Sequence, residues 1–387
     1  MSEVVIAGVG QTSVGEHWEI SLRELALMAI ESAQKDASGL RPQAVYVGNM
    51  LAPIISRQAH LGALVADFAG LNGVEAMAFE AGGASGGIAL RMGYLAVASS
   101  AVDAVLVVGV EKMTDQIGAV VERAIATALD SDYEAEQGLT PTVQAALLMR
   151  RYMHEYGVSH EVFAGFPLVA HANGAYNRNA MFRKAISAEV YRRAEWVCEP
   201  LNMFDVAPDA DGAAAVLLTR PELLPPDYPQ PLVRIVGSSV VTDTLALHDR
   251  PEPLTFSAAR LSVERALAQA VCELSDVDVF ELHDAYSIYA ALALEAAGFA
   301  ERGQGWQLAQ DGAIGLQGKV PISTFGGLKA RGNPGGATGV YQVVEATLQL
   351  RRQAGENQVE EARTAMVQCL GGPASTVATH ILDVYSD

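Results

Sequence analysis

A glycine-rich turn between an apolar run and a helical stretch constrains the fold of this 387-residue chain more than any other feature. The run from Val74 to Phe79 is typical of a buried strand, and the run from Ile88 to Ala98 has helical spacing. Four glycines lie between them in residues 80–87, so the backbone either bends sharply there or approaches another group closely. Such a turn presents backbone N–H groups at a helix N-terminus, where they can stabilise developing negative charge. A tight connection that needs glycine for packing alone explains the stretch equally well.

The same order of elements recurs in the second half of the chain. Residues 277–282 are typical of a strand, which ends at His283 and Asp284. A second glycine-rich turn at 326–339 precedes a helical stretch at 340–352 and a strand at 364–368. Because strand, glycine turn, helix and strand occur twice, we predict two similar α/β halves whose glycine turns face a common site.

Composition predicts where the halves are divided. From about residue 115 to 205 the chain is rich in charge, Tyr, Met and Asn, and we predict a helical insertion over one end of a sheet. Several prolines between Pro221 and Pro231 indicate a linker. We therefore expect an N-terminal half at residues 1–240, which carries the insertion, and a C-terminal half at residues 241–387.

Charge and residue usage exclude several classes of protein. The net charge of −19 argues against nucleic acid as a partner, because that partner requires a broad basic face. No apolar run approaches the ~20 residues of a membrane span, and no secretory signal is recognisable. Three widely spaced cysteines predict no disulfide framework. His154 and His160 lack the cysteines or carboxylates that would indicate a metal site. We expect a soluble, cytoplasmic protein.

The stretches around Gly83, His283, Asn333 and Cys369 together resemble the four active-site loops of the thiolase family. The resemblance is strongest to the sterol-carrier-protein-type and archaeal acetyl-CoA acetyltransferase branch, and it covers essentially the whole chain. Further matching stretches are residues 45–50, 109–115, 243–250 and 326–330. The resemblance implies the thiolase fold, with two similar α/β halves in a layered α-β-α-β-α arrangement. It also implies an acyl-CoA substrate, in which coenzyme A is part of the substrate and no cofactor is covalently bound.

Two positions depart from the family pattern. The first loop of the family reads E-A-A-C-A-S-G-G, and its cysteine accepts the acyl group from the thioester, whereas this chain has Gly83 there. The third loop reads G-H-P-x-G-A-T-G, and Asn333 replaces the histidine that activates the cysteine and helps to hold the thioester oxygen. Glycine has no nucleophile, and asparagine can only hold the oxygen. Because both groups are lost together, we interpret the change as functional divergence.

Three other site residues match the family loops, and the backbone at Gly83 keeps one of its family roles. The resemblance implies that His283 polarises the substrate carbonyl and that Cys369 is the acid/base that moves the α-proton. It also implies that the backbone N–H groups of Gly83 and Gly371 form a second oxyanion site. Losing a side chain at position 83 does not remove a backbone donor.

Two tyrosines point to a different reaction. Tyr286 stands where the family carries phenylalanine, and Tyr341 follows the third loop where a small or apolar residue is common. Both could place hydroxyls in the pocket, or both could be packing residues. Some thiolase-like proteins without the cysteine resemble aldolases, which cleave β-hydroxyacyl-CoA by deprotonating the hydroxyl and stabilising an enolate. That chemistry needs an acid/base and an oxyanion site but no acyl-enzyme, so we expect a lyase acting on a C–C bond next to a thioester.

The sequence leaves two alternatives open. The chain could be a non-catalytic acyl-CoA-binding scaffold subunit, or an acetyl-CoA acetyltransferase that uses Cys369 as its nucleophile. The resemblance also implies a homodimer or a dimer of dimers, together with a small partner protein that has a zinc ribbon and an OB-fold.

Overall fold

The computed structural model describes residues 2–385, and its strands follow the apolar runs of the sequence. The strands are β1 Val5–Gln11, β2 Ala44–Gly48, β3 Glu75–Phe79, β4 Ala104–Glu111, β5 Trp196–Cys198, β6 Leu201–Asn202, β7 Gly212–Thr219, β8 Val233–Thr242, β9 Val279–Glu281, β10 Thr364–Gly371 and β11 Thr376–Val384. Strand β4 is a continuous apolar run up to Glu111, and all its residues are buried.

Eleven α-helices occur within the same residues. They are α1 Leu22–Asp36, α2 Leu61–Phe68, α3 Ser85–Ala98, α4 Gly118–Ala126, α5 Pro141–Tyr156, α6 Gly165–Gly174, α7 Ala188–Arg192, α8 Ser257–Ala270, α9 Ser287–Ala297, α10 Gly305–Gln310 and α11 Thr338–Leu350. Within residues 2–385, no helix has both the length and the apolar character needed to cross a bilayer.

Local signals begin and end the helices that matter for the site. The Ser21 hydroxyl accepts a hydrogen bond from the Glu24 N–H, and the Glu24 carboxylate accepts one from the Ser21 N–H, so a capping box begins α1. Thr140 caps α5 ahead of Pro141, and Gly157 ends that helix with a φ of 65°.

The sheet brings the two parts of the chain together edge to edge. Its strand order is β3-β2-β4-β7-β1-β8-β11-β10-β9, and β1 joins β8 through the pairs Val5–Arg234 and Ile6–Val233. Helices α3 and α11 pack against each other and against strands on both sides of this junction. Helices α1 and α2 cover the outer face of the first five strands in this order, which are β3, β2, β4, β7 and β1. Helix α8 covers β8 and β11. This arrangement confirms the layered α-β-α-β-α fold.

The predicted insertion contains α4 to α7 and the β5–β6 hairpin. Met149 and Tyr152 from α5 and Phe166 from α6 lie in the same buried hydrophobic cluster as Leu292 from α9. This packing fixes the insertion on the C-terminal strands and holds α4 and the start of α5 above the glycine turns.

Strand β3 differs from its prediction as a buried strand. It lies at the end of the sheet order, Met77 is 39% exposed, and Glu75 and Ala78 are also exposed. Apolar composition does not distinguish an edge strand from an interior one, because the same side chains suit both. The opposite edge is covered, since the Phe280 N–H of β9 donates to the Pro321 carbonyl at 2.9 Å. Strand β3 therefore leaves a row of backbone groups open for pairing.

Candidate active site

A cavity of about 110 Å³ lies where the two glycine turns meet. Gly83, His283 and Asn333 line one side of it. Residues of the insertion line the other, among them Glu122 of α4 and Thr142 at the start of α5. Apolar side chains supply most of the remaining surface. A concave, mostly apolar pocket with a few convergent polar groups is the usual form of a small-molecule site.

Gly83 is glycine because another backbone approaches it closely. A Cβ atom here would lie 2.6 Å from the Leu370 carbonyl oxygen and 2.9 Å from His283 Cε1. Gly371 faces the other side of the same contact, since a Cβ there would collide with the Ala81 carbonyl oxygen. The glycine turn at residues 80–87 therefore lies directly against the turn that follows β10 at Gly371 and Gly372, and both contribute backbone to the cavity.

Ser85 holds the first turn in this shape. Its Oγ accepts a hydrogen bond from the Ala81 N–H at 2.9 Å and donates one to the Gly82 carbonyl at 2.6 Å. Helix α3 begins at Ser85, directly after this turn and three residues before the predicted start at Ile88. The helix N-terminus thus directly follows the residue that lines the cavity.

His283 is a buried, neutral imidazole on the cavity wall. Burial lowers its pKa to about 3, and the nearby Arg331 guanidinium lowers the pKa in the same direction. Its Nδ1 atom has no hydrogen-bond partner among the described residues. A neutral ring carries a single N–H donor, so His283 can hold a carbonyl oxygen but is a weak base.

Asp284 fixes the loop that carries His283. Its Oδ1 accepts a hydrogen bond from the Leu328 N–H at 2.7 Å, and its Oδ2 accepts one from the Ser323 hydroxyl at 3.1 Å. Leu328 belongs to a π-helical turn, Gly327–Arg331, that immediately precedes the Asn333 loop. One carboxylate therefore holds the His283 loop against the turn that leads to Asn333.

Asn333 presents an amide group to the cavity. Its Oδ1 accepts a hydrogen bond from the Thr338 hydroxyl at 3.2 Å, which leaves the amide N–H₂ as the donor for a ligand. The buried Glu111 carboxylate supports this loop by accepting from the Gly336 N–H at 3.0 Å and the Met50 N–H at 2.8 Å. Burial raises the pKa of Glu111 to about 7, and these hydrogen bonds oppose that rise.

Tyr286 also lines the cavity, and its hydroxyl begins a short polar chain. The Tyr286 hydroxyl lies 3.1 Å from Thr142 Oγ1, which donates to Glu122 Oε1 at 3.2 Å. Burial raises the pKa of Tyr286 far above its ordinary value, so the phenol stays protonated at neutral pH. The structure therefore makes Tyr286 a hydrogen-bonding group rather than a base.

Cys369 lies behind the cavity wall, which corrects the expectation that it is an acid/base or a nucleophile. Its Sγ is 3.8 Å from the Ala84 carbonyl and occupies space that Gly87 and Gly339 leave open between α3 and α11. Side chains alternate along β10, so Leu370 faces the cavity and Cys369 faces the helices. Burial raises the pKa of this thiol to about 12. Cys369 has the environment of a small buried apolar side chain.

We expect Cys369 to be inert in the folded protein. Iodoacetamide should label the partly exposed Cys198 and Cys272 and leave Cys369 unmodified until the protein is unfolded, because only the thiolate reacts. Peptide mass spectrometry measures all three sites in one sample. An acetyl group on Cys369 after incubation with acetyl-CoA would contradict this assignment.

Tyr341 also lies outside the cavity, contrary to the expectation that its hydroxyl enters the pocket. Its hydroxyl lies 3.0 Å from Thr12 Oγ1 and donates to the Thr12 carbonyl at 3.2 Å. The Arg331 guanidinium lies 5.0 Å from the ring centroid and pairs with Glu345 at 2.6 Å. Tyr341 is therefore part of a buried polar layer behind His283.

Sequence reasoning missed Asp209, Glu122 and Thr142. Asp209 lines the cavity, and its carboxylate accepts no hydrogen bond from the described residues. Burial, reinforced by the nearby Glu122 charge, raises the pKa of Asp209 to about 6. The one signal in the sequence was that Asp209 is an acidic residue just before the strand β7. An acidic residue at such a position is equally typical of an ordinary turn.

A layered α/β fold in which two glycine turns wall a common cavity defines a thiolase-fold protein. The description "Thiolase, N-terminal domain" matches residues 4–222, and "Thiolase C-terminal domain-like" matches residues 239–384. The chain belongs to the thiolase family.

Relatives with named activities cover nearly the full chain. An acetyl-CoA acetyltransferase from Methanothermobacter thermautotrophicus is 40% identical over 385 residues, which are 98% of this chain and 99% of the relative. Another acetyl-CoA acetyltransferase, from Methanocaldococcus jannaschii, is 37% identical over 392 residues and covers 99% of both chains. A solved structure described as "Ltp2-ChsH2(DUF35) aldolase" superposes with a TM-score of 0.82 at 24% identity, covering 99% of this chain and 98% of that one. The last comparison supports the fold alone.

Proposed function

We propose that this protein cleaves or forms a C–C bond next to a coenzyme A thioester by retro-aldol or aldol chemistry, without an acyl-enzyme. The observation that supports the proposal is the lack of space for a side chain at position 83. The resemblance places the family's nucleophile there, and a side chain at this position would run into the Leu370 carbonyl and the His283 ring. The protein thus holds its carbonyl-binding groups close together with no room for an attacking sulfur.

In the proposed reaction, different polar groups of the cavity contact different atoms of a β-hydroxyacyl thioester. The Asn333 amide and the His283 ring hold the thioester oxygen, and the backbone N–H groups of the glycine turns add to that site. A base within reach of the β-hydroxyl removes its proton, and the Cα–Cβ bond breaks as the hydroxyl carbon becomes a carbonyl. The bonding electrons form the thioester enolate, which is then protonated to a shorter acyl-CoA.

The proposal also includes a partner protein. The solved structure with the same fold is named as an aldolase together with a DUF35 protein. We propose that a small protein of that kind, with the zinc ribbon and OB-fold that the family resemblance implies, binds this chain and helps to hold the substrate. Activity should therefore be assayed with and without such a partner.

The direct test is product analysis with a panel of β-hydroxyacyl-CoA substrates. We expect a shorter acyl-CoA and an equimolar aldehyde or ketone, and we expect Asn333→Ala to lower kcat/KM by about 100-fold through loss of one oxyanion donor. No cleavage by the protein, alone or with its partner, would contradict the proposal. Binding of acyl-CoA without turnover, measured by calorimetry, would favour a scaffold subunit instead.

Acetyl transfer is the second candidate, and the 40% identity to a named acetyl-CoA acetyltransferase favours it. This reaction would require a nucleophile other than residue 83, and Cys369 is walled off from the cavity. Formation of acetoacetyl-CoA from acetyl-CoA alone would establish this candidate and overturn the first.

We further propose a homodimer formed through β3. An uncovered edge strand on a nine-stranded sheet is open to pairing with a second copy, and β3 exposes the apolar side chains of Met77 and Ala78, with a single charged residue, Glu75, at its start. The exposed Phe68 at the end of the neighbouring α2 extends the apolar area.

We expect Met77→Glu to shift the protein from dimer to monomer, because it places a charge in the centre of the pairing edge. Sedimentation velocity or light scattering measures the change. Leu147→Glu is the matched control, since Leu147 is a comparably exposed apolar residue on α5, away from β3. An unchanged mass for Met77→Glu would show that the interface lies elsewhere.

A further inference from the structure

We infer that Asp209 moves the proton in the proposed reaction and that Glu122 sets the pH range in which it does so. The inference rests on the proposed function and assigns the base that the reaction requires. Neither residue stands in a loop that the family resemblance singles out.

The backbone places Asp209 beside the group proposed to hold the thioester. The Asn333 N–H donates to the Pro208 carbonyl at 3.0 Å, and the Ala210 N–H donates to the Asn333 carbonyl at 3.2 Å. These two bonds form a parallel bridge between Asp209 and Asn333. Residues bridged in this way lie about 5 Å apart and point their side chains to the same face. One substrate can therefore contact Asn333 through its thioester oxygen and Asp209 through its β-hydroxyl.

The Asp209 carboxylate is half-buried in a cavity lined mostly by apolar side chains, among them Met113, Ile125 and Val206. None of the hydrogen bonds within residues 2–385 ends on this carboxylate. Holding an unpaired carboxylate in such surroundings is costly, so proteins rarely keep one unless a ligand or a reaction uses it.

The other candidate groups in the cavity are less suitable as the base. Tyr286 stays protonated, and its hydroxyl is engaged with Thr142. The pKa of His283 is lowered to about 3 by burial, which makes it a poor proton acceptor. Asp209, whose pKa is raised to about 6, is ionised at neutral pH yet basic enough to accept a proton.

The proton balance needs no group besides Asp209. In the cleavage direction the carboxylate takes the hydroxyl proton as the Cα–Cβ bond breaks and the aldehyde or ketone forms. After that product leaves, protonated Asp209 gives the proton to the α-carbon of the enolate. The carboxylate is regenerated, and neither an oxidant nor a second substrate is required.

Glu122 acts on Asp209 through its charge. It lies across the cavity on α4, and its negative charge raises the pKa of Asp209. The other titratable groups that line the cavity are His283 on the loop after β9, and Tyr286 and Tyr289 at the start of α9. His283, Tyr286 and Tyr289 are uncharged at neutral pH. Burial is the main cause of the raised pKa of Asp209, and the charge of Glu122 adds to it from within the cavity.

The test compares wild type, Asp209→Asn and Glu122→Gln in the full chain with its partner. Two readouts are measured: cleavage of the best β-hydroxyacyl-CoA across pH, and exchange of the α-protons of propionyl-CoA with deuterated water. We expect Asp209→Asn to lower both rates by at least ~100-fold, the usual contribution of a general base. We expect the wild-type rate to fall as pH drops through about 6, which forms the acid limb of the pH–rate profile. We expect Glu122→Gln to move this acid limb to lower pH.

The outcomes separate the two claims. If wild type cleaves and Asp209→Asn cleaves within tenfold of it, the assignment of Asp209 is wrong and the proposed function stands. If Glu122→Gln leaves the acid limb unmoved, the role of Glu122 is wrong. If wild type neither cleaves nor exchanges, the proposed function fails and the assignment of Asp209 fails with it. Thermal unfolding shows whether Asp209→Asn is folded, and Asp209→Glu, which keeps the carboxylate, should recover part of the activity.

Discussion

Placing a cysteine at position 83 is expected to destabilise this protein and not to create a thiolase. The new Cβ would lie 2.6 Å from the Leu370 carbonyl oxygen and 2.9 Å from His283 Cε1, and the first of these is a backbone atom that cannot move aside. Overpacking of this kind typically costs ~1–3 kcal/mol. The sulfur would also lack a base, because asparagine at position 333 cannot accept its proton.

Urea unfolding of Gly83→Cys and Gly83→Ala separates the two effects. Both variants add the same Cβ, so both should lose about the same free energy of unfolding. Neither should be acetylated by acetyl-CoA in intact-mass spectrometry. A Gly83→Cys protein that is as stable as wild type and carries an acetyl group would show that the loop accepts a nucleophile and would weaken the case for divergence.

Replacing Asp209 with asparagine is expected to stabilise the fold while removing activity. The folded-state pKa of Asp209 is about 6, raised from its ordinary value of 3.8, so the folded protein disfavours the charged form. The resulting loss of stability develops as pH rises from 3.8 to about 6 and is absent below that range. At 1.36 kcal/mol per unit, Asp209→Asn should raise the free energy of unfolding by roughly 2–3 kcal/mol above this range and change it little below.

Asp211 supplies a matched control two residues away. Its carboxylate accepts hydrogen bonds from the N–H groups of Met113, Thr114 and His17, and these bonds lower its pKa. A lowered pKa means that the charged form stabilises the fold, so Asp211→Asn should lower the free energy of unfolding above pH 3.8. Denaturant unfolding of both variants, at a pH below 3.8 and at a pH above about 6, measures how each substitution changes the free energy of unfolding. Equal effects of the same sign would show that Asp209 is not held in a costly environment.

The sequence was sufficient for the fold because its signals are local and periodic. The glycine turn before α3 was predicted, and it lies between β3 and α3 as expected; the capping residues of α1 and α5 likewise act within a few residues. The exposure of β3 could not be predicted in the same way. It depends on which strand ends the sheet, and composition does not report strand order.

The site was predicted in part, and the misses have a common cause. A motif gives the position of Cys369 along the chain, but strand register decides that its side chain faces α3 and α11 instead of the cavity. Asp209 was missed for the complementary reason. Its role follows from a backbone bridge to Asn333, more than a hundred residues away, and from the charge of Glu122 on the insertion. In both cases, contacts between segments that are distant in the sequence determine where the side chain lies and what surrounds it.

The most direct test of this account is mass spectrometry of a quenched reaction in which the protein, with its partner, turns over a β-hydroxyacyl-CoA. One sample reports both the intact mass of the protein and the CoA thioesters present. The account predicts an unmodified protein mass at every time point while a shorter acyl-CoA accumulates. A protein that carries an acyl group during turnover, or a substrate that stays whole, would contradict it.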